Sequence, residues 1–213
     1  MSTALLYCGT SEGFVIGTDS RGLNKQTGQP GDHERKIFAF EKQPVSVVFA
    51  WAGNVSVVGS SFGAVDLITE TYESLSRLAF DNLFFATDLA ADLKRKLRIF
   101  TVNTTGTHAV GVFLAFLNGS PWVSEITISK NGLSFDCAVE ECTPSGDIGK
   151  ASGPDAIFDK PVSLNQAKNM IEGYIRSTIA DPECPNIGGQ VHIGKLTSEG
   201  FEWIIPPESE ILA

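Results

Sequence analysis

Residues 3–22 read TALLYCGTSEGFVIGTDSRG. Two short apolar runs, ALLYC (4–8) and FVIGT (14–18), flank a polar, Gly-bounded stretch. That pattern predicts a tight antiparallel hairpin rather than a helix, because the apolar runs are too short for helical periodicity and Gly9 and Gly13 punctuate them. With the turn centred near Ser11, facing residues have numbers that sum to about 22, which places Thr3 opposite Asp19 at about 5 Å. The start of the chain is thereby set beside a carboxylate at a strand end.

Further along, KIFAF (36–40) and VSVVFAWAG (45–53) predict a second hairpin turning at Lys42-Gln43-Pro44. The period then changes. Val65, Ile68, Tyr72, Leu75 and Ala79 share one face of a helix over 61–80, and Leu89, Leu93, Leu97 and Phe100 do the same for a helix over 87–100. Strands return at 109–117, 122–129 and 133–139, with Asn118-Gly119 and Asn131-Gly132 as turns. Residues 143–154 read as a Gly-rich loop. A helix follows, opened by the capping box Ser163-x-x-Gln166 and burying Ala167, Met170, Ile171, Tyr174 and Ile175. GGQVHIGKL and GFEWII form a closing hairpin. Strands joined by short turns are antiparallel, and helices in separate blocks predict layers outside two stacked sheets. No repeat or linker interrupts the 213 residues, so a single domain over 1–213 is expected.

Composition narrows the function classes. A formal net charge of −9 argues against binding nucleic acid or an anionic membrane. The first twenty residues lack a basic n-region and an unbroken apolar core, and no stretch approaches a membrane span, so the cytoplasm is the expected compartment. Cys8, Cys137, Cys142 and Cys184 form no CxxC pair, and neither a metal nor a cofactor is expected. His33, His108 and His192 have no local spacing that would build a Ser-His-Asp triad with Ser152, and they read as ordinary loop and strand residues.

Lys36 opens the strand after the polar loop. If that strand lies alongside the first hairpin, its ammonium bridges to Asp19. A hydroxyl, a cation and an anion that orients the cation suit an N-terminal nucleophile. A free α-amine titrates near pH 8 and can take the hydroxyl proton, while a neighbouring cation lowers both the amine and the hydroxyl pKa.

At this point the chain resembles the proteasome β-type subunits of the N-terminal-nucleophile hydrolase superfamily, of the bacterial proteasome-like kind. Residues 3–22 match the family's opening, with Thr3 at the nucleophile position and Asp19 at the usual interval. ERKIFAF places the family's lysine at Lys36, VVFAWAGN places the oxyanion amide at Gly53, and KASGPDAIF places a supporting serine at Ser152. The resemblance implies an α+β fold, a four-layer αββα sandwich of two stacked antiparallel sheets flanked by helices. It implies a threonine-type endopeptidase working in a homo-oligomeric ring on peptide or unfolded-protein substrates, with an unfoldase or cap as a further partner. Substrate contacts would fall at Arg21, Leu23, Phe38, Trp51 and Val55, with Phe38 and Trp51 lining an apolar first pocket. The sequence departs from the family in two places. Met1 and Ser2 precede Thr3, so the Ser2–Thr3 bond must be cut to free its amine. In DPECPNIGGQV, Gly188 and Gly189 match, but Ile187 stands where a serine is usual and Cys184 stands near the position of an aspartate, with Asp181 or Glu183 as substitutes. Two alternatives are a silent scaffold or binding protein and an amidohydrolase of small amides.

Overall fold

The computed structural model describes residues 3–23, 29–42, 45–53, 109–117, 120–128, 138–141, 146–161 and 163–208. Leu5–Thr10 (β1) and Gly13–Asp19 (β2) form the predicted hairpin, joined by Ser11 and Glu12 alone. They sit inside a five-stranded antiparallel sheet. Ile148–Ser152 (β10) pairs with β1, while Val191–Thr197 (β11) pairs with β2 and with Gly200–Ile205 (β12), giving the order β10-β1-β2-β11-β12. A second five-stranded sheet is a meander of Ile37–Lys42 (β5), Val45–Ala52 (β6), Ala109–Leu117 (β7), Ser120–Ile128 (β8) and Ala138–Glu141 (β9). Gly22–Leu23 (β3) and Pro30–Gly31 (β4) form a small ribbon.

Strand alternation sorts the first sheet's side chains between two cores. Leu5, Phe14, Ile16 and Leu196 face the second sheet, where they pack with Ile37, Val48, Ala50, Val112 and Leu114. Leu6, Cys8, Val15 and Ile193 face the other way, onto the helix Leu164–Ala180 (α1). β2 is therefore buried along its whole length, and an apolar run without polar alternation is what such a strand requires. Ser163 caps α1 as the sequence predicts, its hydroxyl accepting from the Gln166 amide at 3.2 Å. Ala167, Ile171 and Ile175 recur every four residues on the buried face. Gly17 is needed where α1 crosses β2, because a Cβ there would lie 2.4 Å from Ile171 Cγ2.

Several expectations need correction. The two-residue turn puts Cys8 opposite Val15 and Leu5 opposite Thr18, a register one residue away from the expected one. Ala4 rather than Thr3 meets Asp19, through Asp19 N–H to Ala4 O at 3.3 Å. Residues 148–152, expected within a loop, are an edge strand: GKAS has no strand pattern of its own, and β1 supplies its partner. The strand after Lys36 does not lie alongside the first hairpin but belongs to the other sheet. Among the described residues the layers are sheet, sheet and one helix; the helices expected over 61–80 and 87–100 lie outside the described residues, as do Val55, Cys137, Cys142 and His108.

Candidate functional site

The lysine crosses from one sheet to the other. Trp51 N–H donates to Lys36 O at 3.1 Å, a rung that anchors Lys36 just before β5. From there the Lys36 ammonium reaches the first sheet and donates to Thr3 Oγ1 at 3.1 Å and to Asp19 Oδ1 at 3.0 Å. Asp19 has no exposed surface and Thr3 only 5%. The Asp19 carboxylate is fully engaged, as a buried charge must be. Oδ1 also accepts from the Ala4 amide at 3.0 Å, and Oδ2 accepts from the Arg21 and Gly188 amides at 3.1 Å each. Burial, the larger influence, holds the Lys36 ammonium below the ordinary lysine range, and the Asp19 carboxylate opposes it.

A second set of bonds holds the segments that deliver these groups. Ser20 O accepts from Glu34 N at 2.9 Å, and Ser20 Oγ accepts from Gln190 N at 2.7 Å while donating to Asp32 O. The Arg21 guanidinium grips the Asp32 carboxylate with two N–H groups, at 2.7 and 3.1 Å, and donates to Pro185 O at 2.9 Å. Arg21, expected as a substrate contact, ties Pro185 to Asp32 in the loop before Lys36. Leu23 lies in the β3–β4 ribbon.

Ser152 faces Leu5 across the β1–β10 pair, two residues from Thr3 along β1. The turn after it is fastened by Lys150, which donates to Gly153 O at 3.3 Å and Pro154 O at 3.0 Å, and by Tyr174, whose hydroxyl donates to Pro154 O at 2.7 Å. Gly153 has φ 121° there, and a Cβ on it would lie 2.6 Å from the Tyr174 hydroxyl. Gly53 directly follows β6, two residues beyond the rung that anchors Lys36. Trp51 is buried, its ring 5.6 Å from that of Phe49 and on the opposite face of β6 from Ala50. Phe38 pairs with Phe49 and carries the Arg35 guanidinium over its ring at 5.2 Å. In the 181–187 segment, Ile187 is buried, and the Asp181 carboxylate turns back to accept from Glu183 N at 2.9 Å. No group of three or more His, Cys, Asp or Glu residues among those described is placed to hold a metal ion. No helix among them is long and apolar enough to cross a membrane.

One residue that the sequence presents as an ordinary strand histidine lies next to this site, beside the residue that precedes Asp19. His192 faces Thr18 across β2 and β11, is 1% exposed, and neither ring nitrogen has a hydrogen-bond partner among the described residues. Its imidazole is held down at about 4, first by burial and then by the Lys36 and Arg35 cations, with Glu208 opposing. In the unfolded chain it would take up its proton near 6.5. Between these values the unfolded state binds more protons, so stability falls as pH drops through that window, by up to about 3 kcal/mol. Urea unfolding at pH 7 and pH 4.5 should show this loss in the wild type and a smaller one in His192→Leu; equal losses in both would refute it.

No family model matches the chain, and no curated protein matches it. Solved structures do. The Gly-1 mutant of Anbu from Hyphomicrobium sp. strain MC1 superposes with a TM-score of 0.67 at 16% identity, covering 97% of this chain and 88% of its own. Anbu from Yersinia bercovieri, described as an ancestral β-subunit, gives 0.67 at 14% identity, covering 98% and 90%. The helical assembly of the Anbu complex from Pseudomonas aeruginosa gives 0.63 at 17% identity, covering 96% and 84%. The chain has the Anbu fold. This corrects the expected membership in the proteasome β-type subunits: these three matching structures are Anbu proteins, and at 14–17% identity the likeness extends to the fold alone.

Proposed function

We infer that this protein is a threonine-type hydrolase of peptide bonds, with Thr3 as nucleophile. The observation that carries the reading is the single, largely enclosed ammonium joining Thr3 Oγ1 to Asp19 Oδ1. Cutting the Ser2–Thr3 bond frees the Thr3 amine. That amine takes the hydroxyl proton, directly or through one water, as Oγ1 attacks the substrate carbonyl carbon. Lys36 favours the developing alkoxide by charge, and Asp19 holds Lys36 in place. The Gly53 amide takes the oxyanion, an interaction worth a few kcal/mol in such sites. The tetrahedral adduct collapses to an ester on Thr3, the leaving amine takes the proton from the Thr3 ammonium, and water hydrolyses the ester. Ser152 supports the Thr3 end of β1, Phe38 and Trp51 supply an apolar preference, and Leu23 and Val55 contact the peptide. The described sheet–sheet–helix arrangement is completed as a four-layer αββα sandwich by the helices expected over 61–80 and 87–100. Assembly into a homo-oligomer, supported by the helical assembly of the Pseudomonas aeruginosa protein, encloses the sites.

A second reading, a silent scaffold, is favoured by Ile187, a buried aliphatic residue where a hydroxyl would steady the amine. Mass analysis of the N-terminal peptide distinguishes the two. The hydrolase is expected to begin at Thr3 and to carry an electrophilic peptide probe on that residue; a chain that retains Ser2 and takes up no probe supports the scaffold.

A further inference from the structure

A buried histidine with two unpartnered nitrogens is costly, since each polar atom has left water without replacement. A leucine or valine would suit the sheet–sheet face of β11, which His192 shares with Leu196, better on packing grounds alone. The position calls for the imidazole's chemistry.

The charges around His192 narrow what that chemistry is. Lys36 and Arg35 approach from the start of β5, and Glu208 from beyond β12. Glu208 is already engaged, accepting from Gln190 Nε2 at 2.6 Å and lying 3.3 Å from His33 Nδ1. β2 contributes Thr18, whose hydroxyl donates to Asp19 O at 3.0 Å. Lys36 in turn faces Asp19, Glu34, Arg21 and Thr3. An ammonium has three N–H donors, and among the described residues two of them are taken, by Thr3 Oγ1 and Asp19 Oδ1. His192 lies beside Thr18 on the face of the first sheet that meets the second, and Lys36 crosses between the sheets to Asp19, the residue after Thr18, so the strand register brings a donor left over and an acceptor left over to the same end of β2. Such mismatches inside proteins are met by ordered water bonded to both groups.

We propose that His192 is a positioning residue for Lys36, accepting the third N–H of its ammonium through one bridging water and so keeping that cation charged and aimed at Thr3. The inference rests on the reading of Lys36 as the cation that serves Thr3. An acceptor favours the charged form of an amine, which burial disfavours. The imidazole can serve only while unprotonated, which its surroundings ensure near neutral pH.

The test is a pH titration of the Lys36 side chain by NMR, in protein labelled with 13C and 15N lysine, the signal being assigned by its loss in Lys36→Met. His192→Leu is expected to lower the Lys36 midpoint by about one pH unit, a tenfold loss of proton affinity. His192→Gln, whose amide oxygen can still accept, should stay near wild type. If the leucine variant does not fold, His192→Val provides the same comparison. A midpoint unchanged in the apolar variant overturns the proposal. So does a glutamine variant that falls as far as leucine, since packing alone would then be responsible. The titration needs no turnover. If it moves as expected in a protein that never cleaves peptides, the hydrolase reading fails and the positioning role stands. If Thr3-dependent cleavage is found and the titration does not move, the outcome is reversed.

Discussion

Thr3→Ala protein hydrolyses peptides at the uncatalysed background and takes up no electrophilic probe, a loss of at least about 10⁴-fold in kcat/KM. The effect is this large because the hydroxyl forms and breaks the covalent bond, and no neighbouring group can replace it. Asp19 is saturated with N–H donors and Ser152 lies on another strand. Thr3→Ser retains the oxygen and is expected to keep measurable turnover. The alanine variant should stay folded, since it removes one methyl and one hydroxyl at the start of the first sheet, so circular dichroism and sedimentation like the wild type's would assign the loss to chemistry. Turnover by Thr3→Ala within tenfold of wild type would eliminate Thr3 as the nucleophile.

Asp19→Asn is expected to cost about 3–5 kcal/mol of folding stability, with activity lost as well. The carboxylate accepts from the Lys36 ammonium and from three backbone amides, those of Ala4, Arg21 and Gly188. An asparagine offers one oxygen to these donors and turns an NH2 group toward the rest, leaving a largely enclosed ammonium without its counter-ion. For a chain of this length, that loss lowers Tm by on the order of 10 °C. Adding Lys36→Met to Asp19→Asn removes the orphaned charge and should recover part of the stability, because the two side chains form one interacting unit. Scanning calorimetry of the wild type, single and double variants decides the matter. A single variant within about 1 kcal/mol of wild type would mean that the pair holds nothing together.

The two predictions draw on residues whose convergence was only partly legible in the sequence. Short-range signals were reliable. The short apolar runs and Gly punctuation of 3–22 predicted the hairpin, the capping box at Ser163 started α1 where it begins, and the spacing of Ala167, Ile171 and Ile175 picked out its buried face. Each of these depends on interactions within a few residues. The proximity of Thr3, Asp19 and Lys36 was anticipated, but by the wrong route. The expected register was off by one because loop length, not composition, sets which residues pair, and Ser11-Glu12 closes a shorter turn than the glycines around it suggest.

What the sequence determined by itself is the first two hairpins, the strands at 109–117 and 122–129, the closing hairpin, the cap and face of the helix, and the presence of a hydroxyl, an acid and a lysine near strand ends. The tertiary structure decided that the lysine comes from the opposite sheet, that GKAS is the edge strand beside the hairpin, and that an imidazole read as ordinary lies buried beside Thr18, the residue before Asp19. The physical reason is range. Periodicity and capping are written in neighbouring residues, whereas stacking two apolar sheet faces brings together charges far apart in the chain, and no local pattern records which ones will meet.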